Sequence, residues 1–175
     1  RMLNVHNPRQ CYVTMSWSRY LSLYQLGFGA RGIGFRDSSQ DVMGSLAGAP
    51  AEGLALIRNL LHVQRRDGSA MHQYNPLTMI ANNGDSGEMD DRPDFYGDDH
   101  LWIVLAVAAY LKETGDFAFL DEVIPFYEKD RDERPLESGT VLEHLHRAVH
   151  FTRENVGQHG LPLLGFADWN DTVNL

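Results

Sequence analysis

The sequence predicts an all-α chain, part of a barrel of paired helices in which inner helices are buried and outer ones half exposed. Three observations carry this. Residues 101–111 are apolar on every side at helical spacing, which calls for burial all round. Other segments carry an apolar stripe on one face only. Long loops rich in Gly and Asp join them, and strand-like alternation is confined to a short piece at Tyr12 and Val13.

Taken in order, residues 14–25 read as the first helix, with Trp17, Tyr20, Leu21 and Tyr24 at i, i+3, i+4, i+7 and Gly27 and Gly29 as stops. A glycine-punctuated loop over 27–37 leads to Gln40, Asp41, Val42 and Met43, where a short helix is expected to begin. Pro50 suits the first turn of the next helix. There Leu54, Ile57 and Leu61 form a stripe that Arg58 narrows, before Arg65, Arg66, Asp67 and Gly68 end the pattern. Residues 67–97 are polar with little periodicity, a loop long enough to be functional. Asp98 and Asp99 precede the apolar helix, which Lys112 and Gly115 close. A short helix over 117–126 and a solvated charged loop over 128–134 follow. The last helix, 141–155, places Val141, Leu142, Leu145, Ala148, Val149 and Thr152 on one stripe, and Gly157, Gly160 and Pro162 stop it.

A chain of 175 residues with 43% hydrophobic content supports one sizeable core. Its net charge of −9 argues against nucleic acid, which demands a basic surface. An anionic ligand would need arginines gathered locally, and Arg19, Arg31 and Arg36 are so gathered, although solvated or carboxylate-paired arginines are the plainer reading of charge alone. No apolar run approaches the roughly 18 residues of a membrane span. Residues 1–6 lack a signal peptide's apolar stretch, and Cys11 is the sole cysteine, so cytoplasm is the expected compartment. With no initiator Met and an abrupt end after an aromatic and acidic cluster, the chain reads as a fragment of a longer protein.

Three loop clusters mix aromatics with acids, arginines or amides: residues 29–41, residues 94–102, and residues 166–171. Carboxylates and amides bond sugar hydroxyls, and aromatic faces pack on sugar C–H surfaces, so the composition suits a carbohydrate site. Each cluster has a structural alternative. Spacing by itself favours Asp98 or Asp99 as the cap of the helix near Leu101. Arg36 and Asp37 suit a buried ion pair, and Asp168 or Asp171 a turn. The glycines at 27, 29, 32 and 34 follow no strand and form no dinucleotide fingerprint. His62, His72, His144, His146 and His150 read as satisfied surface or core residues, since no Glu follows His146 in the zinc-protease arrangement. No metal is expected, and no G-x-S-x-G supports a nucleophilic serine.

In order along the chain stand Asn7-Pro8-Arg9-Gln10-Cys11, Trp17-Ser18-Arg19, Gly32-Ile33-Gly34-Phe35-Arg36-Asp37-Ser38-Ser39-Gln40-Asp41, Asp98-Asp99-His100-Leu101-Trp102 and Asp168-Trp169-Asn170-Asp171. This series closely resembles glycoside hydrolase family 94, the cellobiose, cellodextrin and chitobiose phosphorylases. The resemblance implies that residues 1–175 are part of one catalytic domain, a barrel of six helix pairs, an (α/α)6 toroid. An N-terminal β-sandwich and the rest of the barrel would lie outside the chain, and the full-length protein would be a homodimer.

The resemblance further implies inverting phosphorolysis of a β-linked gluco-oligosaccharide, with inorganic phosphate as co-substrate and no cofactor. Asp98 is then the general acid, with Asp99 the second candidate for that role. Arg31, Asp37, Tyr96 and Asp99 fall at the substrate, and Arg19 at the phosphate. Tyr96 stands where relatives often carry Trp, and the stretch from Arg19 to Arg31 is about one residue longer than in cellobiose phosphorylases. Further phosphate ligands are expected beyond this chain. An acid working near neutral pH calls for a raised Asp98 pKa, which burial or the adjacent Asp99 charge would supply. The alternatives are an inverting hydrolase of the same barrel type, with Asp41, Asp168 or Asp171 activating water, and a non-catalytic sugar-binding remnant.

Overall fold

The computed structural model describes residues 1–15, 32–84 and 93–167. A π-helical turn, Met2–His6, runs into α1, Asn7–Val13. Strand β1, Ile33–Gly34, leads into α2, Phe35–Ser45, and α3 follows as Pro50–His62. The short strands β2, Gln73–Tyr74, and β3, Ala81–Asn82, precede α4, Asp99–Thr114. A 3-10 helix, Phe117–Asp121, leads to β4, Val123–Pro125, then β5, Ser138–Thr140, and α5, Val141–Glu154. Helices α2, α3 and α4 pack on one another, and α5 lies against α4. Among the described residues no helix is long and apolar enough to cross a membrane.

The punctuation works as the sequence implies at most ends. Pro50 opens α3 at its first position, where its missing N–H costs nothing. Gly115 closes α4 in the left-handed region at φ 69, which favours glycine. Thr140 caps α5 by accepting the Glu143 N–H at 3.1 Å. Arg58 on α3 is half exposed, as its place on the stripe requires, and its guanidinium donates to both oxygens of Glu122 at 2.7 Å.

Four expectations are corrected. Helix α2 begins at Phe35, well before Gln40, because Gly34 is extended at ψ 139 and the Phe35 N–H donates to His72 O at 2.9 Å. Its buried stripe is Phe35, Ser38, Ser39, Val42 and Ser45, helical in spacing but with serine at three of the five positions. Ser39 Oγ donates to Phe35 O at 3.0 Å, and Ser45 Oγ to Asp41 O at 2.8 Å, so these hydroxyls are satisfied inside the helix. Tyr12 and Val13 are helical, not extended. Residues 117–126 form only the 3-10 helix before the chain straightens into β4, whose register pairs Ile124 with Gly139 of β5. On α4, Ile103, Ala106, Val107 and Tyr110 are buried, but Leu105 is 51% exposed, so the described residues cover one side of this helix. The helix expected over 14–25 falls almost wholly outside the described residues.

The β1–β2–β3 sheet matters most for the site. Ile33 pairs with Tyr74 and Gly34 with Gln73, which draws the long 67–97 segment across the head of α2. Gly32 permits this approach: a Cβ there would stand 2.4 Å from Tyr74 N.

His100, in the first turn of α4, packs against α5. It is 1% exposed, its Nε2 lies 2.6 Å from Thr152 Oγ1, and its ring meets Phe151 edge-on with centroids 5.0 Å apart. Burial pushes the imidazole down from 6.5 to about 4, against the smaller opposing charges of Asp98 and Asp67. The folded state therefore binds fewer protons than the unfolded one between these values. The resulting stability, about 3 kcal/mol at most, is fully present above pH 6.5 and is lost as pH falls toward 4. We expect His100→Gln to flatten the fall of melting midpoint between pH 7 and 4 in the full-length protein; parallel curves for both proteins would refute this.

Candidate active site

The approach to α4 is built by backbone pairing between two of the three clusters. Phe95 O accepts the Phe166 N–H at 2.8 Å, the Gly97 N–H donates to Ala167 O at 2.9 Å, and Tyr96 forms an isolated bridge with Gly165. Gly97 lies so close to the 164–167 segment that a Cβ would stand 2.6 Å from Leu164 O. Gly165 takes φ 69 to make the turn. Tyr96 and Phe166 then meet edge to face with centroids 5.5 Å apart.

Asp98 occupies the N-cap position of α4, but its side chain makes no cap bond. Its carboxylate is committed elsewhere. Oδ1 accepts from Arg36 Nη1 at 2.9 Å, and Oδ2 accepts from the Trp102 indole N–H at 2.9 Å. The cap suggested by spacing is thus a position only, because a guanidinium and an indole outcompete the backbone N–H groups. The Asp98 side chain keeps 23% of its surface open.

Asp99 turns the other way. Its side chain is 1% exposed, with Oδ2 2.7 Å from His72 Nδ1 and Oδ1 3.9 Å from Arg36 Nη1. Burial pushes the Asp99 carboxyl up from the usual carboxylate range; the His72 bond and the Arg36 charge pull it down, and the Asp98 charge adds to the rise. The His72 ring lies flat on Tyr96, with centroids 3.7 Å apart and planes 12° from parallel. Tyr96 is therefore a buried wall residue with one face already occupied.

Arg36 holds these groups from α2. It is 6% exposed and lies in that helix's first turn, beside Asp37. The Asp37 Oδ2 stands 3.1 Å from where a Cβ on Gly34 would lie, so this carboxylate curls back over the helix start, where the helix dipole favours negative charge. Of the other expected site residues, Arg19, Arg31 and the cluster from Asp168 to Asp171 lie outside the described residues. The structure thus brings together Asp98, Asp99 and Tyr96, with Asp37 in the first turn of α2, and joins to them Arg36, one of the arginines grouped for an anion, Trp102 of the second loop cluster, and His72, which the sequence marks only as a satisfied residue. Trp102 was visible in principle, four residues after Asp98 on the same helix face. His72 was not, since only the β1–β2 pairing carries it to Asp99.

Histidine also fills a structural role. His144 is buried against Phe126, its Nδ1 2.7 Å from Gln64 Oε1 and its Nε2 3.0 Å from Ile124 O, so both ring nitrogens are engaged in the core. Among the described residues no cluster of three His, Cys, Asp or Glu could hold a metal ion. What remains is a partly open carboxyl at a helix head, fixed in its plane by two donors. That arrangement suits proton transfer to or from a bound molecule.

Residues 1–175 match the family model described as the glycosyl hydrolase 94 superfamily, catalytic domain. The chain belongs to this family. It is 32% identical to N,N'-diacetylchitobiose phosphorylase of Vibrio furnissii, across 99% of this chain and 23% of that protein. It is 35% identical to solabiose phosphorylase of Paenibacillus borealis, across 93% of this chain and 19% of that one. It is also 34% identical to the cyclic beta-(1,2)-glucan synthase NdvB of Rhizobium meliloti, across 81% of this chain and 5% of that protein. The chain thus spans less than a quarter of the length of these relatives.

Because Gly97 sits between Tyr96 and Asp98 with backbone against its α-carbon, Gly97→Ala should push the 95–98 segment off the 164–167 segment. We expect a loss of about 1–3 kcal/mol of stability, read as a lowered melting midpoint of the full-length protein. A midpoint equal to wild type would show that the segment relaxes freely.

Proposed function

We propose that this chain supplies the acid and donor-sugar side of an inverting glycoside phosphorylase acting on a β-linked gluco-oligosaccharide. The observation that carries this reading is Asp98, open to solvent at the head of α4 and gripped by Arg36 and Trp102. Each carboxyl oxygen has a second lone-pair site, so these two donors fix the plane while one oxygen carries the proton. Asp98 gives that proton to the glycosidic oxygen as the C–O bond breaks. Inorganic phosphate attacks the anomeric carbon from the opposite face, forming α-glucose 1-phosphate and releasing the shortened sugar. The nucleophile is already an anion, so the second carboxylate of an inverting hydrolase is not required.

Asp37 fits the donor-sugar role because it shares the first turn of α2 with Arg36, which ties sugar binding and acid placement to one helix head. Arg31 is assigned to the same sugar, Tyr96 and Asp99 to the wall behind it, and Arg19 to phosphate. No cofactor takes part. The packed helices α2, α3, α4 and α5 are the part of an (α/α)6 toroid that we assign to this chain, in a cytoplasmic homodimer. The phosphorylase names of its relatives support the reaction class, while their differing sugars leave the acceptor to experiment.

The test is cleavage of β-linked gluco-disaccharides by the full-length protein with and without inorganic phosphate, with the product anomer read by NMR. We expect cleavage only with phosphate, yielding the α-anomer, and a loss of at least about 10²-fold in Asp98→Asn. Equal rates without phosphate would assign hydrolysis instead, and full activity in Asp98→Asn would remove Asp98 from the acid role.

A further inference from the structure

His72 touches the acid's surroundings from two sides. Its backbone carbonyl accepts the N–H of Phe35, the residue before Arg36, at 2.9 Å. Its Nδ1 lies 2.7 Å from Asp99 Oδ2, in a carboxylate that is 1% exposed. The other oxygen of that carboxylate, Oδ1, is buried without a hydrogen-bond partner among the described residues and faces the Arg36 guanidinium at 3.9 Å. Nη1 of the same guanidinium donates to Asp98 Oδ1 at 2.9 Å. Two hydrogen bonds and, between them, one longer charge contact at 3.9 Å thus link His72 through Asp99 and Arg36 to Asp98. A guanidinium between two carboxylates settles where both attractions balance, so fixing one carboxylate fixes the direction in which it grips the other.

We propose that His72 is a positioning residue for Asp98: by bonding Asp99 it anchors the carboxylate that flanks Arg36, and so sets the direction in which Arg36 holds the acid. This rests on Asp98 being the proton donor. His72 makes no hydrogen bond or ion pair with Asp98, so its effect passes through Arg36. It also stacks on Tyr96, and the two contacts need separating. Phe at this position keeps a ring on Tyr96 and loses the bond to Asp99. Asn keeps an N–H at the place of Nδ1 and loses the ring.

The experiment compares wild type, His72→Phe and His72→Asn in the full-length protein, below the melting midpoint of each, on two substrates. One is a gluco-disaccharide, whose departing alkoxide must be protonated. The other is 2,4-dinitrophenyl β-glucoside, whose phenolate leaves without a proton. With the disaccharide we expect His72→Phe to lower kcat by about 10- to 100-fold with KM within about 2-fold, and with the aryl glucoside to stay within about 3-fold of wild type. His72→Asn should recover most of the lost kcat. An equal loss on both substrates, no loss at all, or a His72→Asn as slow as His72→Phe would overturn the proposal. Cleavage that needs no phosphate would sink the phosphorolysis reading alone, and the same two-substrate comparison would still decide His72.

Discussion

The Arg36 guanidinium is the fixed point on which the site depends. Asp98 and Asp99 are adjacent at the start of α4, and one of them is almost fully buried, so without a buried cation they would repel each other in a poorly solvated place. Arg36 itself sits in the first turn of α2, where the helix dipole disfavours positive charge. Neither side is comfortable alone. Each offsets the other's cost, and the pairing locks the head of α2 to the head of α4.

Other features follow from this lock. The two helix heads must stand close, which the packing of α2 on α4 provides. The β1–β2 pairing lays the 67–97 segment over them, so His72 reaches Asp99 and Tyr96 reaches His72. Gly32 and Gly97 mark two places where backbones come too close for a Cβ. The long polar segment is therefore held against the site through backbone pairing and side-chain contact, although its composition shows little helical or strand periodicity.

Much of the helical frame was legible because apolar spacing and helix ends are local signals. Pro50 and Gly115 mark the start of α3 and the end of α4 where the residue chemistry says they should. The start of α2 at Phe35 escaped because serines stand on its buried stripe, and a pattern counted in apolar residues overlooks hydroxyls bonded back to the preceding turn. The short strands escaped because two or three residues carry no alternation to read. The acid pair and its helix head were visible as a motif. The grip of Arg36 on Asp98 was not, since that contact joins residues 62 apart in sequence and appears only when α2 meets α4.

The most direct test of this account is a double-mutant cycle on the pair that ties the two helices. Stability of the full-length protein is measured for wild type, Arg36→Gln, Asp98→Asn and the double variant. If the ion pair fixes Asp98 as described, the two changes are coupled, and the double variant is less destabilised than the sum of the single ones by more than about 1 kcal/mol. Additivity within about 0.5 kcal/mol would contradict the account, because Arg36 would then hold nothing that Asp98 needs.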